Sequence, residues 1–187
     1  MNASTPTPWR LLHSELAFEH RWYRLRRDTV ELPGGGVLDD YFVAERPDVA
    51  LVVAVTADDD VLLARQYKHG IGEITLELPG GTIDHGETPR EAAERELREE
   101  LGYACESLQP LGSLMHAPSN ATNRIHGFLG RTARSVAEPR LDPSEVILLE
   151  KVPLSRVERM IREGGIVASD TVAFLLIALM RAYARRS

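Results

Sequence analysis

A helix with an unusual distribution of charge is the feature that most constrains this sequence. Residues 89–103 read PREAAERELREELGY, which places Glu96 three and four residues before Glu99 and Glu100. At about 100° per residue, these three carboxylates share one narrow face of a helix. Like charges at this spacing destabilise an isolated helix by roughly 0.2–0.5 kcal/mol per pair. The chain must therefore either solvate this face or offset its charge with a cation.

The rest of this segment is typical of a stable helix. Thr88 and Glu91 have the spacing of a capping box, while Pro89 suits the first turn and Gly102 the end. Ala92 is expected to lie among the acids. Apolar residues at four-residue spacing predict a buried stripe, made of Ala93, Leu97 and Leu101. Two interpretations of the acidic face remain: a solvated surface, which is common for Glu-rich helices, or a site for a hard divalent cation such as Mg2+.

Length and charge narrow the class of protein. The 187 residues suit one domain, or one domain with a short extension. A net charge of −6 argues against a nucleic-acid binder that works through a general basic field. The single cysteine, Cys105, excludes an internal disulfide and a cysteine-based zinc cluster, which fits a reducing cytoplasm. We expect this cysteine to be a small buried residue.

Neither end of the sequence predicts a membrane segment. Residues 1–10, MNASTPTPWR, are expected to be a loose polar lead rather than a signal sequence. The longest apolar run covers residues 172–180 and is too short to cross a bilayer. It therefore predicts a buried helix near the C-terminus, and no membrane partner is expected.

Apolar and β-branched runs predict a mixed sheet between helices rather than a regular alternation of strands and helices. Strands are predicted at residues 21–32, 39–45, 49–56, 61–67, 74–81, 124–130 and 145–152. Besides the acidic helix, helices are predicted at residues 154–163 and 170–185, the second with Ser169 as its cap. The run at 49–56 is almost continuously apolar, as expected for a strand that is buried on both faces.

The glycine-rich segment that leads into the acidic helix resembles the signature of the Nudix hydrolases. Five residues separate Gly81 from Glu87, and seven more lead to RELREELGY. All fixed positions of the signature are matched, by Gly81, Glu87, Arg95, Glu96, Glu99, Glu100 and Gly102. Leu97 fills an aliphatic position, whereas Tyr103 stands where an aliphatic residue is more usual. A match of this kind over 23 residues is far more specific than a lone glycine-rich loop.

The resemblance implies a fold, a cofactor and a set of ligands. The fold would be of the α/β class, an α/β/α sandwich with a mixed sheet. The cofactor would be Mg2+, with Mn2+ as a possible substitute. Arg95 and Glu87 would organise the loop and the helix, which makes Arg95 part of the catalytic machinery. The implied metal ligands are Glu96, Glu100, Glu99 and the carbonyl of Gly80.

Three further segments resemble the ADP-ribose and other nucleotide-sugar pyrophosphatases: ERPDVALVVAV, RQYKHGIGEITLELPGG and REGGIVASDTVAFLLIAL. This branch implies an N-terminal β-extension at residues 1–45, which exchanges strands in a homodimer, and a Nudix domain at 46–187. An aromatic residue of the extension would stack on the base, for which Trp22, Tyr23 and Tyr41 are available; ordinary packing is the alternative role. Lys68 would contact the diphosphate, or is simply a solvated charge at a strand end.

The implied reaction is attack of water at phosphorus, in which positioning and charge neutralisation dominate. The leading hypothesis is Mg2+-dependent hydrolysis of a nucleoside diphosphate sugar, with ADP-ribose the first candidate, giving AMP and ribose 5-phosphate. A GDP- or UDP-hexose is the alternative substrate. A non-catalytic Nudix module that senses a nucleotide sugar is the alternative outside the enzymes. No nucleic-acid partner is expected.

One departure from the branch concerns the catalytic base. Where a loop glutamate usually serves as base, this chain has Asn123, and an amide cannot take a proton from water at neutral pH. The base is then Glu145 or Glu99, or the substrate differs. Asn123 would bind the sugar or orient the water, and Arg124 beside it would contact a phosphate.

Overall fold

The computed structural model describes residues 5–21 and 23–184, without the side chains of residues 183 and 184. In this part of the chain the first strands are β1 (Arg10–His20), β2 (Tyr23–Glu31) and β3 (Val37–Glu45). They are followed by β4 (Val49–Thr56), β5 (Asp60–Lys68), β6 (Glu73–Glu77), β7 (Gly80–Thr82), α1 (Pro89–Leu101), β8 (Tyr103–Ala104), β9 (Ser107–Met115), β10 (Arg124–Ser135), β11 (Ile147–Pro153), α2 (Leu154–Arg162) and α3 (Ser169–Ala184).

The chain divides into two compact units. The first comprises the residues up to Pro47 together with Met115–Asn123, and the second comprises Asp48–Leu114 and Arg124–Ser187. The segment Met115–Asn123 joins the first unit through β3, because the Ala44 N–H donates to the Asn120 carbonyl at 2.8 Å. The sequence does not anticipate this grouping, since the boundary predicted at residue 45 assigns the segment to the main domain.

The first unit contains a three-stranded antiparallel sheet in the order β1-β2-β3. Strand β1 is absent from the sequence prediction, because all of its side chains are exposed and no buried stripe marks it. Pairing with β2 holds it in place, and an ion pair of 2.7 Å joins Arg10 to Glu31 at one end. The polar lead expected over residues 1–10 therefore ends where β1 begins, at Arg10.

The second unit contains an eight-stranded sheet whose main path is β11-β5-β4-β10-β8. Strand β4 runs parallel to β10, whereas β5 is antiparallel to both β11 and β6. Short strand β7 pairs with β4 through Gly80 and Gly81, so the predicted glycine-rich loop begins as part of the sheet. The mixed sheet predicted from the sequence is confirmed.

Alternate residues of β4 face two different hydrophobic cores. Ala50, Val52 and Ala54 pack in the core that includes α1. Leu51, Val53 and Val55 pack in the core that includes α2 and α3, where Phe174 is fully buried. Because side chains of a strand alternate between the faces of a sheet, the helices lie on both of its faces. Strand β4 is buried on both faces and α3 is a buried helix, as the sequence predicts.

Several element boundaries differ from the prediction. Strand β10 continues to Ser135 rather than ending at residue 130, and β11 begins at Ile147, which leaves Glu145 in a turn before it. Strand β9 is missing from the prediction because Pro110 and Gly112 interrupt its apolar pattern. The predicted strand at 74–81 is two strands, β6 and β7. Within the described residues, the helices are all too short or too polar to cross a membrane.

Candidate active site on helix α1

Both ends of α1 are capped by the residues that the sequence indicates. The Thr88 N–H donates to the Glu91 carboxylate at 2.8 Å, and the Glu91 N–H donates to the Thr88 hydroxyl at 3.3 Å, which completes a capping box. At the other end Gly102 has a φ of 73°, in the left-handed region, and its N–H bonds to the Arg98 carbonyl. Local sequence therefore fixes where the acidic helix begins and ends.

The buried face of α1 is wider than the sequence suggests. Ala92 is fully buried beside Ala93 and does not lie among the acids as expected. Leu97 and Leu101 complete the stripe that packs against the sheet. Small alanines let the helix lie close to β4, because they leave room for the strand's side chains. This close packing puts the acidic edge of the helix next to the glycines of β7.

Arg95 joins three carboxylates at the acidic edge. Its Nε and Nη2 donate to the two oxygens of Glu87, both at 2.9 Å, in a bidentate pair. Its Nη1 donates to Glu96 at 2.8 Å and to Glu99 at 3.2 Å, and its Nη2 also donates to the Thr82 carbonyl at 3.0 Å. These contacts, that with Glu87 above all, raise the pKa of Arg95 above its usual value. One guanidinium thus fixes the β7–α1 loop against the helix.

Glu100 is the most deeply buried of the acids on α1, with 6% of its surface exposed. One of its oxygens accepts a 2.9 Å hydrogen bond from the Gly80 N–H. The pKa of Glu100 is raised to about 8, chiefly by burial. The Gly80 N–H and the Lys68 charge lower this pKa, whereas the charges of Glu96 and Glu145 contribute to raising it. A cation bound beside this carboxyl would favour its ionised form.

Glu96 lies against the backbone of Gly81. A Cβ at position 81 would overlap the Glu96 carboxylate, so only glycine permits this approach. Burial raises the pKa of Glu96, whereas Arg95 lowers it and the charges of Glu99 and Glu145 raise it. The glycine in the signature is therefore explained by the position of an acid fifteen residues later in the chain.

Glu145 and Lys68 come from other elements but act on the same acids. The Glu145 charge raises the pKa of both Glu96 and Glu100, and the Lys68 charge lowers that of Glu100. A Glu145 oxygen accepts from the Asp142 N–H at 3.1 Å, within a turn rather than at the predicted strand start. Lys68 forms an ion pair of 3.2 Å with Glu77, which the sequence analysis does not single out.

The acids fit a divalent cation in their chemistry, although they contact protein donors in this structure. Across the described residues, no three His, Cys, Asp or Glu side chains converge so that they could hold a metal ion. The oxygens of Glu96 and Glu99 instead accept from Arg95, and Glu100 accepts from Gly80. Adjacent carboxylates whose pKa is raised by burial suit a hard cation, because it would stabilise their ionised form.

The remaining predicted site residues are distributed between the two units. In the first unit the Tyr41 hydroxyl donates to the Ser119 carbonyl, and the Tyr41 ring meets Trp9 edge-on at 5.5 Å. Asn123 has 6% of its surface exposed, and its buried Oδ1 has no hydrogen-bond partner in the part of the chain that the structure describes. In the second unit the Arg124 N–H donates to Asp48 at 2.8 Å. Trp22 lies outside the described residues.

The NUDIX domain matches residues 45–168, two-thirds of the chain. The chain belongs to the Nudix hydrolase family. Residues 9–44 match the nucleoside diphosphate sugar hydrolase N-terminal domain. Nudix hydrolases generally use divalent metal ions, which agrees with the donor set on α1.

Relatives of this Nudix hydrolase include proteins with different names. A methanol dehydrogenase activator of Bacillus methanolicus is 32% identical over 162 residues, covering 86% of this chain and 87% of that protein. An ADP-ribose pyrophosphatase of Mycobacterium tuberculosis is 33% identical over 156 residues, covering 82% and 75%. A solved structure described as ADP compounds hydrolase matches with a TM-score of 0.87 at 22% identity, covering 98% of both chains. The α/β/α fold is thereby confirmed.

Two residues of the Nudix hydrolase take part in these contacts without having been predicted. Trp9 falls in the N-terminal stretch that is predicted to be a loose lead, where a lone tryptophan carries no periodic signal. Glu77 ends β6 and accepts both from Lys68 and, at 2.6 Å, from the Thr75 hydroxyl. The period-two spacing of Thr75 and Glu77 on a strand could have indicated this pair, because such residues share one face.

Proposed function

We propose that this Nudix hydrolase cleaves the diphosphate bond of a nucleoside diphosphate sugar with Mg2+, and that ADP-ribose is its first substrate, giving AMP and ribose 5-phosphate. The observation that carries the proposal is the buried Glu100, whose neighbours Glu96 and Glu145 add negative charge around it. Such a cluster suits a reaction in which a cation must bind both the protein and a polyanionic diphosphate. The name of the M. tuberculosis relative supports the choice of ADP-ribose.

We assign the metal to the acidic edge of α1. Glu96 and Glu100 would be the main ligands, with Glu99 and the Gly80 carbonyl as further oxygens. Mn2+ would be a substitute, because it also binds oxygen ligands. When bound, the metal would neutralise the diphosphate and lower the pKa of the attacking water.

We assign the general base to Glu145. Its charge acts on both Glu96 and Glu100, which supports a position at the same edge. The Asp142 N–H holds one of its oxygens, and the other is assigned to receive the proton of the water. Glu99 is the competing residue, and the Arg95 guanidinium holds one of its oxygens. Asn123 has no basic group to offer.

Arg95 and Lys68 would hold other groups in position and would not themselves transfer protons. Arg95 holds the oxygens of Glu87, Glu96 and Glu99, so its proposed role is to fix the acids before the substrate binds. Lys68 lies near Glu100 and carries a charge that a diphosphate can share. In phosphoryl transfer such fixed charges contribute more than covalent chemistry.

We further propose that residues 1–45 exchange strands in a homodimer, while 46–187 form the catalytic domain. Support comes from the first unit, where large apolar side chains are exposed along the sheet: Trp9, Leu11, Leu16, Phe18 and Phe42. Trp22 and Tyr41 are the aromatic residues proposed to bind the base. Asn123 is proposed to bind the sugar and Arg124 to bind a phosphate; in support, the Asn123 Oδ1 has no hydrogen-bond partner among the described residues.

The test is a hydrolysis screen of nucleotide sugars with Mg2+, Mn2+ or EDTA. We expect ADP-ribose to be cleaved fastest, with a metal requirement, and the products to be AMP and ribose 5-phosphate. GDP- and UDP-hexoses are the comparison substrates, and preference for one of them would correct the substrate. If none of these compounds is cleaved with either metal, while a nucleotide sugar still binds, the chain is a sensing module and the proposed activity is wrong.

A further inference from the structure

A cavity lies beside α1, on the side of Glu99. Its volume is about 420 Å³, within the range of about 300–1,000 Å³ that is usual for small-molecule sites. The lining comes from two stretches of the second unit, one on the helix and one before β11. The lining residues are Arg95, Arg98, Glu99, Ala137, Glu138 and Arg140.

Backbone hydrogen bonds fix the two walls of this cavity relative to each other. The Arg140 N–H donates to the Glu99 carbonyl at 2.7 Å, and the Ala137 N–H donates to the Gly102 carbonyl at 3.2 Å. The segment runs so close that a Cβ at position 102 would overlap the Ala137 carbonyl. The side chains of Arg98 and Arg140 therefore project from backbones that are held in place, which lowers the entropic cost of binding a ligand between them.

The three arginines of the cavity differ in whether their side chains already have partners. Arg95 is committed to its carboxylates, as described above. Arg98 and Arg140 have exposed side chains, and among the described residues neither makes a side-chain hydrogen bond or ion pair. Glu138 is the acid at the rim, so two unpaired guanidinium groups face one carboxylate beyond the Arg95 network. In a chain of net charge −6, this local excess of positive charge favours an anion.

We propose that this cavity binds a phosphate monoester through Arg98 and Arg140. A guanidinium presents parallel N–H donors that match two phosphate oxygens, and two such groups match a dianion. The cavity also leaves room for a small group attached to the phosphate. The cavity shares Arg95 and Glu99 with the acidic edge of α1, but Arg98 and Arg140 are not among the residues assigned to the diphosphate. Inorganic phosphate and the sugar phosphate formed by the proposed reaction share the required chemistry.

The experiment measures binding by calorimetry with full-length protein in EDTA, so that neither metal nor turnover contributes. The probes are inorganic phosphate, ribose 5-phosphate and ribose. We expect both phosphates to bind and ribose not to bind. Ribose 5-phosphate binding tighter than phosphate would identify the sugar phosphate as the ligand, and equal affinities would identify free phosphate. The phosphates are tested up to 10 mM, about the weakest affinity of interest. If neither phosphate gives a heat of binding, the proposal is overturned.

Variants locate the binding. Arg98→Gln and Arg140→Gln should each weaken phosphate binding by about 10-fold, the loss expected for a charged hydrogen-bond pair. The matched control is Arg156→Gln, an exposed arginine on α2 outside the cavity, which should bind normally. Lys68→Gln should also bind normally, whereas loss of binding in that variant would place the phosphate at the diphosphate site and overturn the proposal.

Two lysine variants keep the positive charge but change the hydrogen-bonding geometry. Arg98→Lys and Arg140→Lys should keep part of the affinity, because the charge remains while the bidentate geometry is lost. Hydrolysis of the best substrate without added phosphate should stay unchanged in both Gln variants. An enzyme without activity that still binds phosphate would refute the proposed function alone.

Discussion

At the scale of single residues, burial and pairing divide the acidic face of α1 into different kinds of carboxylate. Glu100 is buried and accepts a hydrogen bond from the Gly80 N–H, whereas 46% of the Glu99 side chain is exposed and bonds to Arg95. Glu96 is intermediate and lies on a glycine. Burial makes the ionised forms of Glu96 and Glu100 the most costly of the three. A bound cation would therefore stabilise these two carboxylates most.

Glutamine at either of these positions should abolish most turnover without unfolding the protein. We expect Glu96→Gln and Glu100→Gln each to lower kcat by at least ~100-fold, since charge neutralisation at phosphorus is lost. Without metal, the Glu100→Gln protein should unfold at the same temperature or a higher one, because a buried like-charged group is removed. Glu94→Gln, on the exposed side of the helix, is the control. Near-normal Mg2+-dependent kcat in both variants would show that the metal site is elsewhere.

The identity of the base can be decided by comparing three variants across pH. We expect Glu145→Gln to lose at least ~100-fold in kcat, within the range of about 10²–10⁴ for a general base, while Mg2+ affinity changes little. Glu99→Gln should lose less. A loss confined to Glu99→Gln would instead move the base into the helix. If Asn123→Glu strongly raises ADP-ribose turnover, the scaffold is specialised for a different substrate.

At the scale of elements, the features that depend on neighbouring residues in the chain are predicted from the sequence. The features that depend on pairing between distant segments are missed. The capping box at Thr88 and the left-handed end at Gly102 are local, and both are found. Strand β1 is held only by its neighbour, so no periodic burial marks it. The depth of Ala92 depends on how closely α1 approaches the sheet, which its own sequence does not specify. The proximity of Glu145 to the acids depends on a turn about forty-five residues beyond α1.

Contact between β7 and α1 should be sensitive to a single methyl group. Gly81→Ala places a Cβ where the Glu96 carboxylate lies, so that carboxylate must move. We expect kcat to fall by about 10–100-fold, as displacement of a reactive group commonly does, with a circular dichroism spectrum unchanged. Gly34→Ala is the matched control, because a Cβ there meets nothing within 4 Å. Full activity of Gly81→Ala would mean that Glu96 is not required at its observed position.

The start of β10 is tied to the start of β4 by one acid. Asp48 accepts from the Arg124 N–H at 2.8 Å and lies 3.0 Å from His126 Nε2. Burial raises the pKa of Asp48, but these contacts outweigh it and hold the pKa below its usual value. A depressed carboxyl pKa stabilises the fold above the unfolded-state pKa of about 3.9, and this contribution is lost as the pH falls through the folded-state value.

We therefore expect Asp48→Asn to unfold about 2–4 °C lower at pH 7, the effect of roughly one hydrogen bond in a protein of this size. The difference should shrink as the pH falls below about 4, where Asp48 becomes protonated in both states. Thermal unfolding followed by circular dichroism at pH 7 and at lower pH measures it. Asp58→Asn, in the exposed turn before β5, is the control. A difference that does not depend on pH would attribute the effect to packing.

At the scale of the whole molecule, the exposed apolar surface of the first unit is what most needs explanation. We expect the full chain to sediment as a homodimer at micromolar concentration, because association covers the exposed side chains of that unit. A chain that begins at Ala44 should be monomeric or insoluble and poorly active. The catalytic variant Glu100→Gln, measured alongside, should remain dimeric. Full-length protein that sediments as a monomer would contradict the proposed strand exchange.

Arg95 has a consequence for how this sequence can change during evolution. Its guanidinium satisfies Glu87, Glu96 and Glu99 at once, so replacing it leaves three acids without their common counterion. Replacing Glu87 alone removes the bidentate partner through which Arg95 fixes the β7–α1 loop against the helix. Single substitutions at these positions are therefore each unfavourable, and viable alternatives require simultaneous changes. Double-mutant cycles across these four positions should be strongly non-additive, so that the sites drift together or remain unchanged.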